Sequence, residues 1–342
     1  MTESAFQLNR PLVVRSPNWL GDAVMALPAV RNLKTLLGKD SLTVATPEKL
    51  AALWQACPFV DKVIPLTKPK SFGASARELR AGNFGSTVLL PNSLRTALEA
   101  WLAGIPQRCG YIRSGRQLLL TKGEAAPARN PLRLHQKYYY LDLVKALGAP
   151  DDPSLPELRR PPLVPNNRPM LALCPGAEYG PAKRWPVENF ATVARHFAEK
   201  HKARIVLLGA ASDVAIADEF SRQMPEAENR VGQTLLEEFM STLAAAKLVV
   251  CNDSGAMHVA SALDVPTVAI FGSTEPLLTG PMGKRAAVLR HHVPCSPCFL
   301  RECPLDFGCM KGVTAEMAIA AGEKFWSEPA PVKKKKSSRK SS

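Results

Sequence analysis

The stretch Leu12-Val-Val-Arg-Ser-Pro-Asn-Trp-Leu-Gly-Asp22 joins a short apolar run to a turn that contains proline and glycine. Beyond this turn, apolar residues recur with a helical period as far as Leu37, and Gly38 is a typical helix stop. We expect one helix here, in which Pro28 can introduce a kink. A short strand, a tight turn and an amphipathic helix together form the repeating unit of parallel α/β sheets.

The same alternation continues along the chain in two blocks. Further strands are predicted at residues 42–46, 62–64, 87–90, 170–174, 205–208, 249–252 and 267–271. Helices are predicted at residues 93–103, 135–147, 187–200, 212–224, 236–246 and 254–263. Between the blocks, residues 149–169 are rich in proline, as an interdomain linker would be. We therefore predict an α/β protein with two doubly wound, Rossmann-like domains facing a cleft, residues 1–160 and 161–328, and a tail of residues 329–342.

Composition and charge restrict the class of protein. Apolar residues make up 46% and charged residues 22% of the 342 residues, which is typical of a globular chain. No apolar run reaches the roughly 18 residues of a transmembrane helix, and the N-terminus is too polar for a signal peptide, so we expect a cytoplasmic protein. The net charge of +14 predicts anionic partners. Six lysines and arginines lie within residues 333–342, whose charge and serine content predict a disordered end.

Ligands of doubly wound domains bind beyond the carboxyl ends of the strands, so the loops after the strands hold the candidate site residues. In the first such loop, Asp22 is either an N-cap of the following helix or a general base that takes a proton from a hydroxyl group. The loop at residues 174–186 combines glycines with the cations Lys183 and Arg184. These cations suit a diphosphate leaving group, and two solvated side chains are the alternative.

The loop after the strand at residues 249–252 opens a helix at Ser254-Gly255. Free N–H groups at a helix start form an anion site. Asp253, beside them, is either an N-cap or an acceptor of hydrogen bonds from sugar hydroxyls, and His258 is either a packed helix residue or part of the site.

Four cysteines follow one another closely near the end of the second block. Cys295-Ser-Pro-Cys298 is a C-x-x-C motif, with Cys303 and Cys309 shortly behind it. Four thiols at such spacing favour a structural zinc ion or a pair of disulfides, and a catalytic metal is disfavoured because a closed four-cysteine site leaves no open position.

Several of these loops, in this order, resemble the ADP-heptose:lipopolysaccharide heptosyltransferases of glycosyltransferase family 9, the type II members most closely. The matching stretches lie within about residues 11–325 and comprise residues 15–25, 90–93, 103–108, 174–186 and 252–258. The resemblance implies a GT-B architecture and an inverting transfer of heptose from ADP-heptose to the heptosyl-Kdo inner core of lipopolysaccharide, with no cofactor required for catalysis.

The resemblance also implies roles for individual residues. Asp22 would be the general base and Lys183 would steady the diphosphate. The donor site as a whole would comprise Lys183, Arg184, Asp253, Ser254, Gly255 and His258. Candidate acceptor contacts, all in the first domain, are Asn18, Asn92, Ser93, Arg95, Arg108, Arg113 and Arg116. Where relatives can carry a glutamate in the loop after the strand at residues 205–208, this chain has Gly209-Ala-Ala-Ser-Asp213.

Other functions compete with this interpretation. A nucleic-acid-binding protein would explain the basic charge, but no recognised nucleic-acid-binding motif occurs in the folded part, so we expect no nucleic-acid partner. A non-catalytic ADP-sugar-binding protein would keep the phosphate loops without needing a carboxylate at position 22, and a type I or type III heptosyltransferase would differ in acceptor. The basic tail predicts attraction to the anionic inner face of the inner membrane, with a solvated end of no specific role as the alternative.

Overall fold

Parallel strands in the first half of the chain form one six-stranded sheet. The computed structural model describes residues 7–67, 72–128, 133–160 and 168–328. The strands of this sheet are β1 (Leu12–Arg15), β2 (Leu42–Pro47), β3 (Lys62–Leu66), β4 (Ser86–Leu89), β5 (Gln107–Tyr111) and β6 (Lys122–Glu124). Their spatial order is β3-β2-β1-β4-β5-β6, the order of a Rossmann sheet. The side chains of β1 and β4 are buried because helices cover both faces of the sheet.

The second half repeats this sheet. Its strands are β7 (Met170–Cys174), β8 (Arg204–Leu207), β9 (Glu228–Asn229), β10 (Leu248–Asn252), β11 (Thr267–Phe271) and β12 (Ala286–Arg290). All neighbouring pairs are parallel, and the order is β12-β11-β10-β7-β8-β9, which is the same arrangement as in the first sheet. The two doubly wound sheets confirm the predicted α/β fold class.

Helices connect the strands of both sheets. In the first half they are α1 (Leu20–Met25), α2 (Leu27–Leu37), α3 (Ala51–Gln55), α4 (Phe72–Arg80), α5 (Leu94–Leu102) and α6 (Gln136–Ala146). In the second half they are α7 (Val187–His201), α8 (Val214–Gln223), α9 (Leu236–Ala245), α10 (Gly255–Ala262), α11 (Pro276–Thr279), α12 (Gly308–Lys311) and α13 (Ala315–Trp326). One buried core continues from the first half into the second, and α1 packs against α10 and α3 against α9.

The helix after β1 differs from the predicted single helix. It is divided into α1 and α2 at Ala26, and Pro28 lies in the first turn of α2. Proline has no N–H to donate to the carbonyl four residues earlier, which here is that of Val24, so the hydrogen-bond ladder is interrupted before it. Pro28 thus begins a second helix, where its missing N–H is not needed.

Two further predictions concern the boundaries of the chain's parts. The predicted domain boundary between residues 160 and 161 adjoins residues 161–167, which lie outside the described residues, as does the basic tail at 329–342. The exact boundary therefore stays a prediction. Across the described ranges, none of the helices combines the length and the apolar character that crossing a membrane requires.

Candidate functional site

Four loops that carry predicted site residues follow central strands of the two sheets. Two of them follow β1 and β4, which are neighbours at the point where the strand order of the first sheet reverses. The other two follow β7 and β10, which are neighbours at the equivalent point of the second sheet. Ligands of doubly wound sheets bind at such reversal points, where adjacent loops diverge. Each domain therefore offers one ligand-binding crevice.

The start of α1 and the start of α10 pack directly against each other across the domains. The backbone of Gly21 lies so close to the His258 ring that a Cβ atom on this glycine would be 2.9 Å from Cδ2 of the histidine. A Cβ on Gly255 would similarly lie 3.2 Å from the Leu20 side chain. The absence of a side chain on Gly21 is therefore what allows the two helix starts to meet.

Asp22 lies next to this contact but is not the N-cap of α1. The N-cap is Trp19, so Asp22 is the third residue of the helix, and the capping alternative is wrong. Its Oδ1 instead accepts a hydrogen bond of 3.2 Å from the hydroxyl of Tyr140 on α6. Burial raises the pKa of Asp22, and the Tyr140 hydrogen bond partly opposes this rise. A carboxylate held in this way has a higher affinity for a proton than an exposed aspartate.

Lys183 and Asp253 form an ion pair at the start of the second-domain crevice. Nζ of Lys183 lies 2.6 Å from Oδ2 of Asp253, and these side chains are only 13% and 4% exposed. The same carboxylate oxygen accepts a 2.5 Å hydrogen bond from Oγ1 of Thr274, in the loop after β11. Because the N-cap of α10 is Ser254, the expectation that Asp253 caps this helix is wrong. Asp253 instead holds Lys183 at the helix start.

A buried asparagine fixes the loop that carries Lys183. Asn252 ends β10 and is fully buried; its Oδ1 accepts from the backbone N–H of Trp185, and its Nδ2 donates to the carbonyl of Pro175 over 2.7 Å. Trp185 in turn donates from its indole N–H to the carbonyl of Val313 at 2.7 Å. The loop at 175–185 is therefore tied to the body of the second domain at both ends.

Several buried polar atoms around this crevice have no hydrogen-bond partner among the described residues. They include Nε of Arg184, Nδ1 of His258 and Oδ1 of Asp213. Burial lowers the pKa of His258 to about 4, so its imidazole is neutral at pH 7. Buried polar groups without a partner are rare and mark places where a ligand can supply the missing hydrogen bond.

Asp213 provides a carboxylate in the loop after β8, the loop in which relatives can carry a glutamate. It is 6% exposed, and its Oδ2 accepts from the backbone N–H of Ala210 at 3.0 Å. A Cβ on Gly176 would lie 2.2 Å from this carboxylate, so the loops after β7 and β8 meet here. Asp213 therefore borders the same crevice as Lys183.

The predicted acceptor residues have more structural roles than the sequence suggested. Ser93 is the N-cap of α5, with its side chain accepting from the backbone N–H of Thr96. Asn92 donates from Nδ2 to the hydroxyl of Tyr139 at 2.8 Å, and Oδ1 of Asn18 accepts from Arg15 at 3.0 Å. An acceptor-binding role for Asn18, Asn92 and Ser93 stays a prediction.

Two of the arginines predicted to contact the acceptor form hydrogen bonds within the first domain. Arg116 is fully buried and donates to the carbonyls of Tyr111 and Pro91, and Arg108 donates to the carbonyl of Leu119 at 2.6 Å. These bonds hold the loop between β5 and β6, so neither side chain offers a free fork to a phosphate, contrary to expectation. Arg95 forms a 2.8 Å ion pair with Glu99, and Arg113 is exposed. A role in acceptor binding stays a prediction for Arg95 and Arg113.

The four clustered cysteines line one cavity of about 280 Å³. Cys295, Cys298, Cys303 and Cys309 all carry free thiols, so the disulfide alternative is not formed. Within the described residues, no three of these sulfur atoms lie within 4.8 Å of one another. Sulfur ligands of a tetrahedral zinc site lie about 3.8 Å apart. The structural zinc stays a prediction that the positions of the sulfur atoms do not support.

Sequence reasoning missed the partners that orient the predicted residues. Tyr140, Thr274 and Asn252 act on loops that are distant in the sequence, and no local pattern marks Tyr140 or Thr274. A signal was present only for Asn252, a polar residue at the end of an otherwise apolar strand.

Comparison with known proteins assigns the family. The model of glycosyltransferase family 9 (heptosyltransferase) matches residues 72–307. Lipopolysaccharide heptosyltransferase 2 of Salmonella typhimurium is 32% identical over 311 residues, which is 82% of this chain and 87% of that protein, and the Escherichia coli protein of the same name is 30% identical with the same coverage. The structure of E. coli ADP-heptose LPS heptosyltransferase II matches with a TM-score of 0.78 and 27% identity, over 92% of this chain and 98% of the other. These similarities confirm the predicted GT-B architecture and the resemblance to type II members, and the chain belongs to glycosyltransferase family 9, the heptosyltransferases.

Proposed function

We propose that this enzyme transfers L-glycero-D-manno-heptose, with inversion, from ADP-heptose to the heptosyl-Kdo inner core of lipopolysaccharide. The observation that carries the proposal is the contact between the helix start that bears Asp22 and the helix start that bears Ser254 and Gly255. This contact sets a half-buried carboxylate beside an anion site. The names of the similar proteins, lipopolysaccharide heptosyltransferase 2 and ADP-heptose LPS heptosyltransferase II, support the same donor and acceptor.

In the proposed complex, the diphosphate of the donor binds at the start of α10. The N–H groups of its first turn and the helix dipole favour an anion there. Lys183 adds its ammonium group, which has three hydrogens and uses one in the ion pair with Asp253, so two remain for phosphate oxygens. Arg184 contributes a buried Nε that needs an acceptor. Asp253 keeps Lys183 in position, and the positive charge of Lys183 balances the negative charge of Asp253.

The adenosine of the donor would lie along the ends of β7 and β8. In a Rossmann sheet, an acidic residue after the second strand accepts a hydrogen bond from the ribose. Asp213 occupies this position in the second sheet, and its Oδ1 has no partner among the residues described here. We assign the ribose contact to Asp213 on this basis.

The chemical step needs one base and one leaving group. A hydroxyl oxygen of the acceptor attacks the anomeric carbon of the heptose while the bond from that carbon to the diphosphate breaks, and its electrons leave with ADP. Asp22 takes the proton of the attacking hydroxyl. Burial, which raises the pKa of Asp22, makes its carboxylate a stronger base than an exposed one. Asn18, Asn92, Ser93, Arg95 and Arg113 are the proposed acceptor contacts.

The test uses Asp22→Asn with Asp218→Asn, an exposed aspartate on α8, as the matched control. Each protein receives ADP-heptose and lipopolysaccharide acceptors truncated at successive core sugars, and ADP release and product mass are followed. Asp22→Asn should lose about 10²- to 10⁴-fold in kcat while its Kd for ADP is unchanged. Full turnover by Asp22→Asn, or transfer only from a different nucleotide sugar, contradicts the proposal. The accepted truncation identifies the heptosyltransferase type.

We also propose that the enzyme acts in the cytoplasm, at the inner face of the inner membrane. The acceptor is lipid-linked, and the basic residues of 333–342 would each add about 1 kcal/mol of attraction close to an anionic surface. Deletion of residues 329–342 should weaken binding to anionic liposomes at low salt. A tail of equal length with glutamine at the six basic positions should behave like the deletion, since charge is the cause. Unchanged binding after deletion would refute this role.

A further inference from the structure

Two histidines and a glutamate converge on the outer face of the second domain, away from the crevice. His196 lies within α7 and His201 at its end, and Glu323 lies on α13, which packs against α7. Nε2 of His196 is 2.6 Å and Nε2 of His201 is 2.9 Å from the same carboxylate oxygen, Oε1 of Glu323. Among the described residues, this is the one group of three potential metal ligands whose donor atoms all lie within 4.8 Å of one another.

Packing against buried aromatic rings holds both imidazoles in place. The His201 ring stacks on Phe197, with centroids 5.6 Å apart, and lies 5.2 Å from the ring of Trp326. His196 meets the edge of Phe197 at 5.2 Å. Because these rings belong to the core of the second domain, the two imidazole nitrogens are preorganised before any ligand arrives.

The spacing of the three donor atoms is close to what a metal ion requires. Ligand atoms about 2.0–2.1 Å from a tetrahedral zinc ion lie about 3.3 Å apart, so the nitrogens of His196 and His201 would move away from the Glu323 oxygen by about 0.7 and about 0.4 Å. The three side chains are each 22–29% exposed, so an ion can reach them and can keep water in a further position. Two imidazoles and one carboxylate suit zinc, nickel and cobalt rather than magnesium or calcium.

A lysine ammonium group already lies beside the Glu323 carboxylate. The ammonium group of Lys200 lies 3.1 Å from Oε1 of Glu323, and its side chain is 56% exposed. A flexible, half-exposed lysine can swing into solvent when a divalent ion takes its place. We propose that His196, His201 and Glu323 form a binding site for a zinc-class divalent cation, which links α7 to α13 and stabilises the second domain independently of the transfer reaction.

Binding is tested by equilibrium dialysis of the full-length protein against Zn²⁺ with metal analysis. Wild-type protein should bind one equivalent more than His196→Gln or His201→Gln, whatever the clustered cysteines bind, because those thiols are present in all three. His292→Gln, which replaces an exposed histidine elsewhere, is the matched control and should bind as the wild type does. Equal binding by the wild type and both folded histidine variants would overturn the proposal.

A second measurement removes the competing cation and keeps all three ligands. Lys200→Met should bind Zn²⁺ at least threefold more tightly than wild type, because the carboxylate is then free of the ammonium group. A hydrogen-bonding role alone would leave zinc affinity unchanged or undetectable, and that result overturns the proposal. With Co²⁺ as the probe, the extra equivalent should show ligand-field bands without the thiolate charge-transfer absorption of cysteine ligation. A thiolate band for that equivalent would assign it to the cysteines instead.

Discussion

The contact between Gly21 and His258 gives the most direct test of how the two domains meet. In Gly21→Ala, the new methyl carbon would lie 2.9 Å from Cδ2 and 3.3 Å from Nε2 of the histidine ring. Such distances are shorter than van der Waals contact, and the ring is enclosed, since His258 is 4% exposed. Either the ring or one of the two helix starts has to move.

The expected magnitude follows from two opposing effects. An extra methyl group in a well-packed contact costs about 1–3 kcal/mol. Alanine favours a helix over glycine by about 0.5–1 kcal/mol, and Gly21 lies in α1. We therefore expect Gly21→Ala to lower the free energy of unfolding by about 1–2 kcal/mol. The matched control is Gly73→Ala in α4, where a Cβ would meet nothing within 4 Å, and it should lose no stability.

The assay is urea unfolding of a double-mutant cycle. In a His258→Ala background the ring is absent, so Gly21→Ala should no longer destabilise the protein. The gain in helix propensity is the same in both backgrounds, so the coupling free energy should equal the cost of the methyl contact, about 1–3 kcal/mol. The core continues through both domains, so the loss should appear in the main unfolding transition. If Gly21→Ala destabilises both backgrounds equally, the two helix starts do not meet through this contact and the reasoning is refuted.

Three further variants test the residues of the crevice. Asp22→Asn should unfold at a higher temperature than wild type at pH 7, because burial raises the pKa of Asp22 and the ionised carboxylate therefore opposes folding. The difference in unfolding temperature should vanish in acid, where the wild-type carboxyl group is protonated, and calorimetry at a series of pH values measures it. Tyr140→Phe removes the hydrogen bond that lowers the same pKa, so the acidic limb of kcat/KM against pH should move to higher pH, and an unmoved limb would argue against the Asp22–Tyr140 contact. Lys183→Met leaves Asp253 buried and unpaired, so it should lose about 3–5 kcal/mol of unfolding free energy, and adding Asp253→Asn should recover most of this in chemical denaturation.

The apolar strands at the centre of each sheet could be predicted from the sequence, whereas the short edge strands β6 and β9 could not. β7, β10 and β11 are buried along their whole length and read as continuous apolar runs. β6 consists of Lys122-Gly-Glu124 and β9 of two residues only. These edge strands pair through backbone hydrogen bonds and bury little side-chain surface, so their sequences carry no apolar signal. β12 was also missed, although four of its five residues, Ala286-Ala-Val-Leu-Arg290, are apolar; its side chains are mostly half-buried.

The candidate site was predictable in its position but not in its contacts. Loops after central strands must lie at the crevice, which is why Asp22, Lys183 and Asp253 were found. Their pairing was not predictable, because Tyr140 reaches Asp22 from a helix 118 residues further along the chain. The alternative that Asp22 is an N-cap was wrong because α1 begins two residues before it. The first residue of a helix is difficult to predict from a sequence pattern.

The charges around the start of α10 match the demands of the proposed reaction. Asp253 alone would repel a diphosphate, but Lys183 and the hydroxyl of Thr274 hold its carboxylate, and Arg184 adds a second positive charge. The three ionised side chains therefore leave one net positive charge at a helix start that itself favours anions. Negative charge on the diphosphate grows as its bond to the sugar breaks. Fixed cations and N–H groups thus attract the departing ADP more strongly than they attract the bound donor, and interactions that strengthen toward the transition state raise kcat rather than only tightening binding.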